Sequence, residues 1–253
     1  MTEIRGIYTL WLRELKRYIR DKTRIISSFF QPLLWLVILG RGISFSGTIG
    51  ELSYQQYIFP GIIGQTLLFT SMFVGISVIW DREFGSLKEI VVAPISRISI
   101  FLGKMLGDST DAVIQGVIVL FLGLLLGIQM DLLTFLGALP VMMLITFGLV
   151  SIELTIASFM DSLESFGVIQ SFINLPLFFL SGALFPIQGE SVPSWLQIAS
   201  NLNPLTYGVD TLRTITLRDA WQPLHPLYYN LLVICCFDAG MIVIGTIAFS
   251  RRK

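Results

Sequence analysis

The stretch DREFGSLKEIVVAPISR, residues 81–97, separates two strongly apolar segments, yet six of its residues are charged: Asp81, Arg82, Glu83, Lys88, Glu89 and Arg97. Gly85 can interrupt a helix entering from the preceding apolar segment. Ser86 and Glu89 form the S-x-x-E capping box that starts a new helix. Leu87, Ile90 and Val91 fall at i, i+3 and i+4 and give that helix an apolar stripe. Pro94 disfavours helical geometry at Ala93 and ends it after about two turns. A loop that only reversed the chain would need neither cap nor stripe, although plain reversal stays open on these residues alone.

The flanking sequence places this helix beside a membrane. Of 253 residues, 54% are hydrophobic and 13% charged, with a mean hydropathy of +0.77, too apolar for an ordinary soluble domain. About 20 apolar residues cross a bilayer as a helix, and six segments come close: 25–43, 57–80, 106–128, 132–158, 165–187 and 227–250. Pro32, Pro140 and Pro176 fall inside spans, which membrane helices tolerate. Lys and Arg in the intervening segments number seven, one, four, none, none, two and three along the chain, with Arg41 at the end of the first span counted in the segment that follows it. Alternate segments therefore carry 14 against 3, and the positive-inside rule puts both termini in the cytoplasm. With no repeat or linker, residues 1–253 read as a single all-α membrane domain. The charged segment before residue 25 does not resemble a signal-peptide h-region, so the first span is expected to be retained.

At the head of the chain, Ile4, Ile7, Tyr8, Trp11, Leu15, Tyr18 and Ile19 share one helical face, and Arg5, Arg13, Lys16, Arg17 and Arg20 occupy the rest. This is the pattern of an amphipathic helix in the membrane interface; a helix packed on a soluble partner is the alternative. Cys235 and Cys236 are adjacent within an apolar run and read as buried packing residues.

No G-x-x-x-x-G-K-[ST] loop occurs, so the chain has no P-loop for nucleotide phosphates. One histidine and two adjacent cysteines argue against zinc, and no metal site is expected. Asp108 and Asp111 form a close carboxylate pair near a span end, read as solvated or helix-terminal, with cation binding as the alternative. Glu153 and Asp238 lie inside spans, where a carboxylate costs about 2.5–3.5 kcal/mol on insertion scales. They are interhelical contacts or part of a transport path.

Residues 81–97 resemble the coupling-helix loop of type-2 ABC exporter permeases. NPLTYGVDTLR, residues 203–213, resembles the second half of that family's signature through Asn203, Pro204, Leu205, Tyr207 and Arg213. The upstream Phe185-Pro186, Pro193 and Trp195-Leu196 continue the likeness, which is nearest to drug-resistance and nodulation-factor permeases. The resemblance implies six spans, an interfacial first helix, a re-entrant or extracellular segment at 188–226, and a second copy or sister permease. It further implies that a cytoplasmic ABC ATPase subunit binds ATP and Mg and docks on the coupling loop through Arg82, Glu83, Gly85, Ser86, Leu87, Lys88, Glu89 and Ile90. This chain itself would bind no cofactor and no nucleic acid and would contact membrane lipids.

The resulting expectation is a cell-membrane permease subunit, not itself an enzyme, that moves an amphiphilic drug, lipid or glycan outward. The alternative is an ion-coupled transporter or channel using Glu153 and Asp238. An intramembrane enzyme is a third class, but it lacks a paired catalytic constellation.

Overall fold

A computed structural model describes residues 2–42, 48–49, 52–84, 95–187, 189 and 192–251. The helices are α1 (Thr2–Arg20), α2 (Lys22–Gly42), α3 (Tyr54–Glu83), α4 (Arg97–Leu125), α5 (Leu132–Phe159), α6 (Leu163–Phe179), α7 (Ser194–Leu202), α8 (Pro204–Leu217) and α9 (Leu227–Arg251). A two-residue hairpin, β1 (Thr48–Ile49) and β2 (Leu52–Ser53), pairs Thr48 with Ser53 and Ile49 with Leu52 ahead of α3. The protein is an all-α membrane protein, in which α2, α3, α4, α5 and α9 are long and apolar enough to cross a bilayer.

Local chemistry fixes where these helices begin. Ser53 accepts from the Gln56 backbone while Gln56 Oε1 accepts from the Ser53 backbone, a reciprocal cap on α3. Ser96, Asp131 and Ser162 cap α4, α5 and α6, each side chain accepting from a backbone N–H of the first turn. The Ser96 cap starts α4 at Arg97, nine residues before the expected start of its span. At the other end of the 81–97 segment, α3 runs through Glu83, so Asp81, Arg82 and Glu83 are helical.

The fifth expected span, 165–187, is shorter than its hydropathy suggested. Its helix, α6, has 17 residues and stops at Phe179. The Leu180 N–H still bonds Pro176 O, but the Ser181 hydroxyl bonds Phe178 O and Gly182 takes φ +72, so residues 180–187 leave the helix. The sequence showed a continuous apolar run there because these residues stay buried: Ala183, Leu184 and Ile187 are all in the core.

Helix α3 forms the centre, with Tyr57, Ile58, Phe59, Ile62, Ile63 and Leu67 fully buried. Around it pack α2, α4, α5, α6 and α8. The outer faces of α2, α6 and α9 expose Phe30, Ile38, Phe172 and Ile244, as suits helices in lipid. Cys235 and Cys236 lie on such an exposed face of α9 rather than in the packing expected of them.

The first helix divides its expected apolar face. Ile4, Tyr8 and Ile19 point outward, but Tyr18 turns inward with Leu10 and Glu14. Helix α1 lies alongside the first half of α4 and runs the same way, with Glu3 at Ser96, Leu10 at Gly103 and Glu14 at Gly107. A Cβ on Gly103 or Gly107 would stand 2.7 Å from the Leu10 or Glu14 Cβ, so glycine permits the close approach.

Candidate functional site

The helix ends that bracket residues 85–94 are joined by buried charge. Lys104, fully buried on α4, donates from Nζ to Asp81 Oδ2 at 2.7 Å, Glu14 Oε1 at 3.3 Å and Ser77 Oγ at 3.3 Å. Arg13 of α1 grips Asp81 through both terminal nitrogens, at 2.9 and 3.3 Å. Arg17 donates to Ser77 at 2.6 Å. One cluster thus ties α1, α3 and α4 together. Buried charges persist only when paired and hydrogen-bonded, and the three-helix contact supplies both conditions.

Further contacts extend this frame. Glu3 accepts from the Ser96 backbone at 3.0 Å and from its hydroxyl at 2.9 Å, immediately ahead of α4. Hydrogen bonds from Ser99 and then Ser96 hold the Glu3 carboxyl below the usual carboxylate range. Arg82 donates to Met160 O at 2.6 Å and pairs with Asp161 at 3.8 Å, joining the end of α3 to the α5–α6 turn. Arg97 donates to Ser250 O near the end of α9. Glu83 is exposed. Gly85, Ser86, Leu87, Lys88, Glu89 and Ile90 lie outside the described residues.

Asp108 and Asp111 are not solvated, contrary to expectation. They are buried at 2% and 1% exposure, each 3.8 Å from Arg24 of α2, whose guanidinium also lies 4.4 Å from the Phe73 ring centroid. Sequence spacing placed them near a span end, but the early start of α4 carries them three turns into the helix.

Both intramembrane acids are buried between helices. Glu153 of α5 accepts from Asn174 Nδ2 of α6 at 2.9 Å, beside buried Gln170. Asp238 of α9 lies against Gly148 of α5, where the packing leaves no room for a Cβ. They occupy separate interfaces, α5–α6 and α5–α9.

The signature residues gather at the opposite end of the bundle. Asn203 caps α8 and donates from Nδ2 to Leu177 O at 2.7 Å, while Pro204 opens the helix and Leu205 is buried. Tyr207 donates to Asn201 O and stacks on His225. Arg213 lies between the Tyr57 and Trp221 rings, 4.0 and 4.7 Å from their centroids, and donates to Tyr57 O and Gly182 O. Asp210, which sequence reasoning passed over, accepts from Trp221 Nε1, Asn230 Nδ2 and the Leu224 backbone. The signature therefore organises the turn that connects α8 to α9.

Sequence reasoning also missed Glu14 and the pairing of Lys104. The available signal was Glu14 itself, an acid within a basic run at helical spacing from Ile7 and Leu10.

The sequence pattern of the family described as ABC-2 type transporter matches residues 5–217. A protein of Cyanophora paradoxa named as a transport permease, ycf38, is 32% identical over 223 residues, covering 86% of this chain and 76% of its own. Nodulation protein J of Rhizobium leguminosarum bv. trifolii is 25% identical over 260 residues, covering 100% of this chain and 97% of its own. A protein of Escherichia coli K12 named as a multidrug ABC transporter permease, YbhR, is 30% identical over 187 residues, which is 70% of this chain and 49% of that protein.

Proposed function

The chain belongs to the ABC-2 type transporter family, and from that premise we propose that it is the membrane half of an ATP-driven exporter, coupled through residues 81–97 to a cytoplasmic ABC ATPase. The coarse part of this reading follows from the family: a multi-pass membrane permease subunit of an ABC transporter. The finer part comprises six crossings with α6 as the fifth, cytoplasmic termini, pairing with a second copy or sister permease, and outward movement of an amphiphilic drug, lipid or glycan. ATP and Mg sit on the partner ATPase.

The observation that carries the proposal is the Glu14–Asp81–Lys104 cluster with Arg13. A load applied to the 85–94 segment reaches α3 on one side and α4 on the other. Both are fastened to α1 by charge-assisted hydrogen bonds, the stronger class. A segment that only reversed the chain would not require this framing. The ATPase would thereby move three helices as a unit, while the packed α8 turn with Arg213 keeps the far end in a fixed shape.

The experiment is reconstitution with the partner ATPase in liposomes and measurement of ATP-dependent efflux of a fluorescent amphiphile. Efflux should require both ATPase and ATP and should persist when a protonophore and a sodium ionophore collapse ion gradients. Gradient-driven transport by the chain alone would favour the ion-coupled reading through Glu153 and Asp238 and overturn this one.

A further inference from the structure

Between α2, α3 and α4 lies a cavity of about 200 Å³ whose wall is part apolar and part polar. Phe69 and Phe73 form its apolar side. Arg24 stands at one level, and Gln31, seven residues further along α2, lies about 10 Å deeper by helical rise. The volume falls below the roughly 300–1,000 Å³ of drug-sized pockets, so it holds one headgroup-sized moiety.

Unused hydrogen-bonding capacity is buried in this wall. Gln65 and Gln115, each 4% exposed, leave Oε1 and Nε2 respectively without a geometric hydrogen bond among the described residues, the Tyr18 phenol being a near neighbour of Gln115. The Thr70 hydroxyl donates to Gln115 Oε1 at 2.8 Å, which holds that amide in one orientation. Arg24 likewise leaves Nε and one terminal nitrogen without hydrogen bonds. In a membrane interior such groups are costly unless something satisfies them. Turned toward the cavity, Arg24 and Gln115 would supply donors and Gln65 an acceptor, the complement of a hydroxyl or amide. An anion fits poorly, because Asp108 and Asp111 already flank Arg24 and Asp21 also lines the cavity.

We propose that this cavity is a binding site for the neutral, hydroxyl- or amide-bearing head of an amphiphile, entering at the level of Arg24 with its apolar part against Phe69 and Phe73. As a cargo site it rests on the exporter reading; as a binding site it stands on its lining alone.

The test uses the full chain in phosphatidylcholine nanodiscs and three single-chain probes: monooleoylglycerol, oleoyl lysophosphatidic acid and oleylamine. Thermal unfolding is followed against probe mole fraction. Monooleoylglycerol should give a saturable rise in the wild-type midpoint, with smaller effects from the charged probes. Gln65→Leu with Gln115→Leu should raise the half-saturating fraction about fivefold or more, the consequence of losing two net hydrogen bonds. Ser27→Phe should abolish the rise by narrowing the entrance. Ser27 is exposed and, among the described residues, its hydroxyl bonds only Thr23 O of its own helix, so this variant tests the site even where the double variant folds poorly. Preference for a charged probe, no saturable rise with any probe, or unchanged binding in the Ser27 variant would overturn the proposal. Loss of binding alongside intact ATP-dependent efflux removes the site and keeps the exporter reading. Saturable binding without ATP-dependent efflux does the reverse.

Discussion

Replacing Lys104 by methionine keeps a long side chain of similar volume but removes the ammonium from the junction of α1, α3 and α4. Asp81 would keep Arg13 at 2.9 Å. Among the described residues, Glu14, 3% exposed, would keep only ion-pair contacts of 3.6 Å to Arg13 and 3.9 Å to Arg17, both more than a third exposed. Removing one partner from a buried ion pair costs about 3–5 kcal/mol, and the surviving Asp81–Arg13 contact places Lys104→Met near 3 kcal/mol. At about 2–4 °C per kcal/mol for a chain of this size, the unfolding midpoint in nanodiscs should fall by about 6–12 °C. Adding Glu14→Gln removes the stranded carboxylate, so the double variant should recover at least about half of that loss. A single variant within about 2 °C of wild type, or a double variant no better than the single, would refute the view that this cluster clamps the three helices.

At the other end of the bundle, Arg213→Lys loses the planar group between Tyr57 and Trp221. It should destabilise by about 2–4 kcal/mol in thermal unfolding; wild-type stability would show that charge alone suffices there. Asp238→Asn and Glu153→Gln should insert and assemble normally but lower transport if they belong to the path or to interhelical movement; full transport by both leaves them as packing contacts. In a background lacking Cys235 and Cys236, cysteine at position 86 should resist a membrane-impermeant maleimide in sealed cells, whereas positions 51 and 190 should react. Strong labelling at 86 would invert the topology drawn from the basic-residue bias.

Hydropathy made the long helices legible, and the terminal Lys and Arg bias made their orientation an expectation. Hydropathy alone could not locate the end of α6, because Ser181, Ala183, Leu184 and Ile187 stay buried although the chain leaves helical geometry around Gly182. The start of α4 was similarly hidden: Ser96 caps a helix whose first turns carry Arg97, Ser99 and Lys104 among apolar residues, and those turns pack on α1. Signature residues such as Arg213 could be found by resemblance, but their aromatic sandwich depends on Tyr57, 156 positions away. The clamp was harder still. Lys104 and Glu14 are separated by 90 residues, and no local periodicity marks their meeting.

The most direct measurement concerns Leu87, at the stripe of the expected two-turn helix. Leu87→Asp removes an anchor worth roughly 1.5–3 kcal/mol when buried and introduces an unpaired charge. Docking should weaken by at least about tenfold, since 1.4 kcal/mol is one decade. With the partner ATPase in proteoliposomes, the variant should insert normally, fail to co-purify the ATPase and lose substrate-stimulated ATP hydrolysis, while a charge change at Glu51 leaves both intact. Normal ATPase binding and transport by Leu87→Asp would contradict the account.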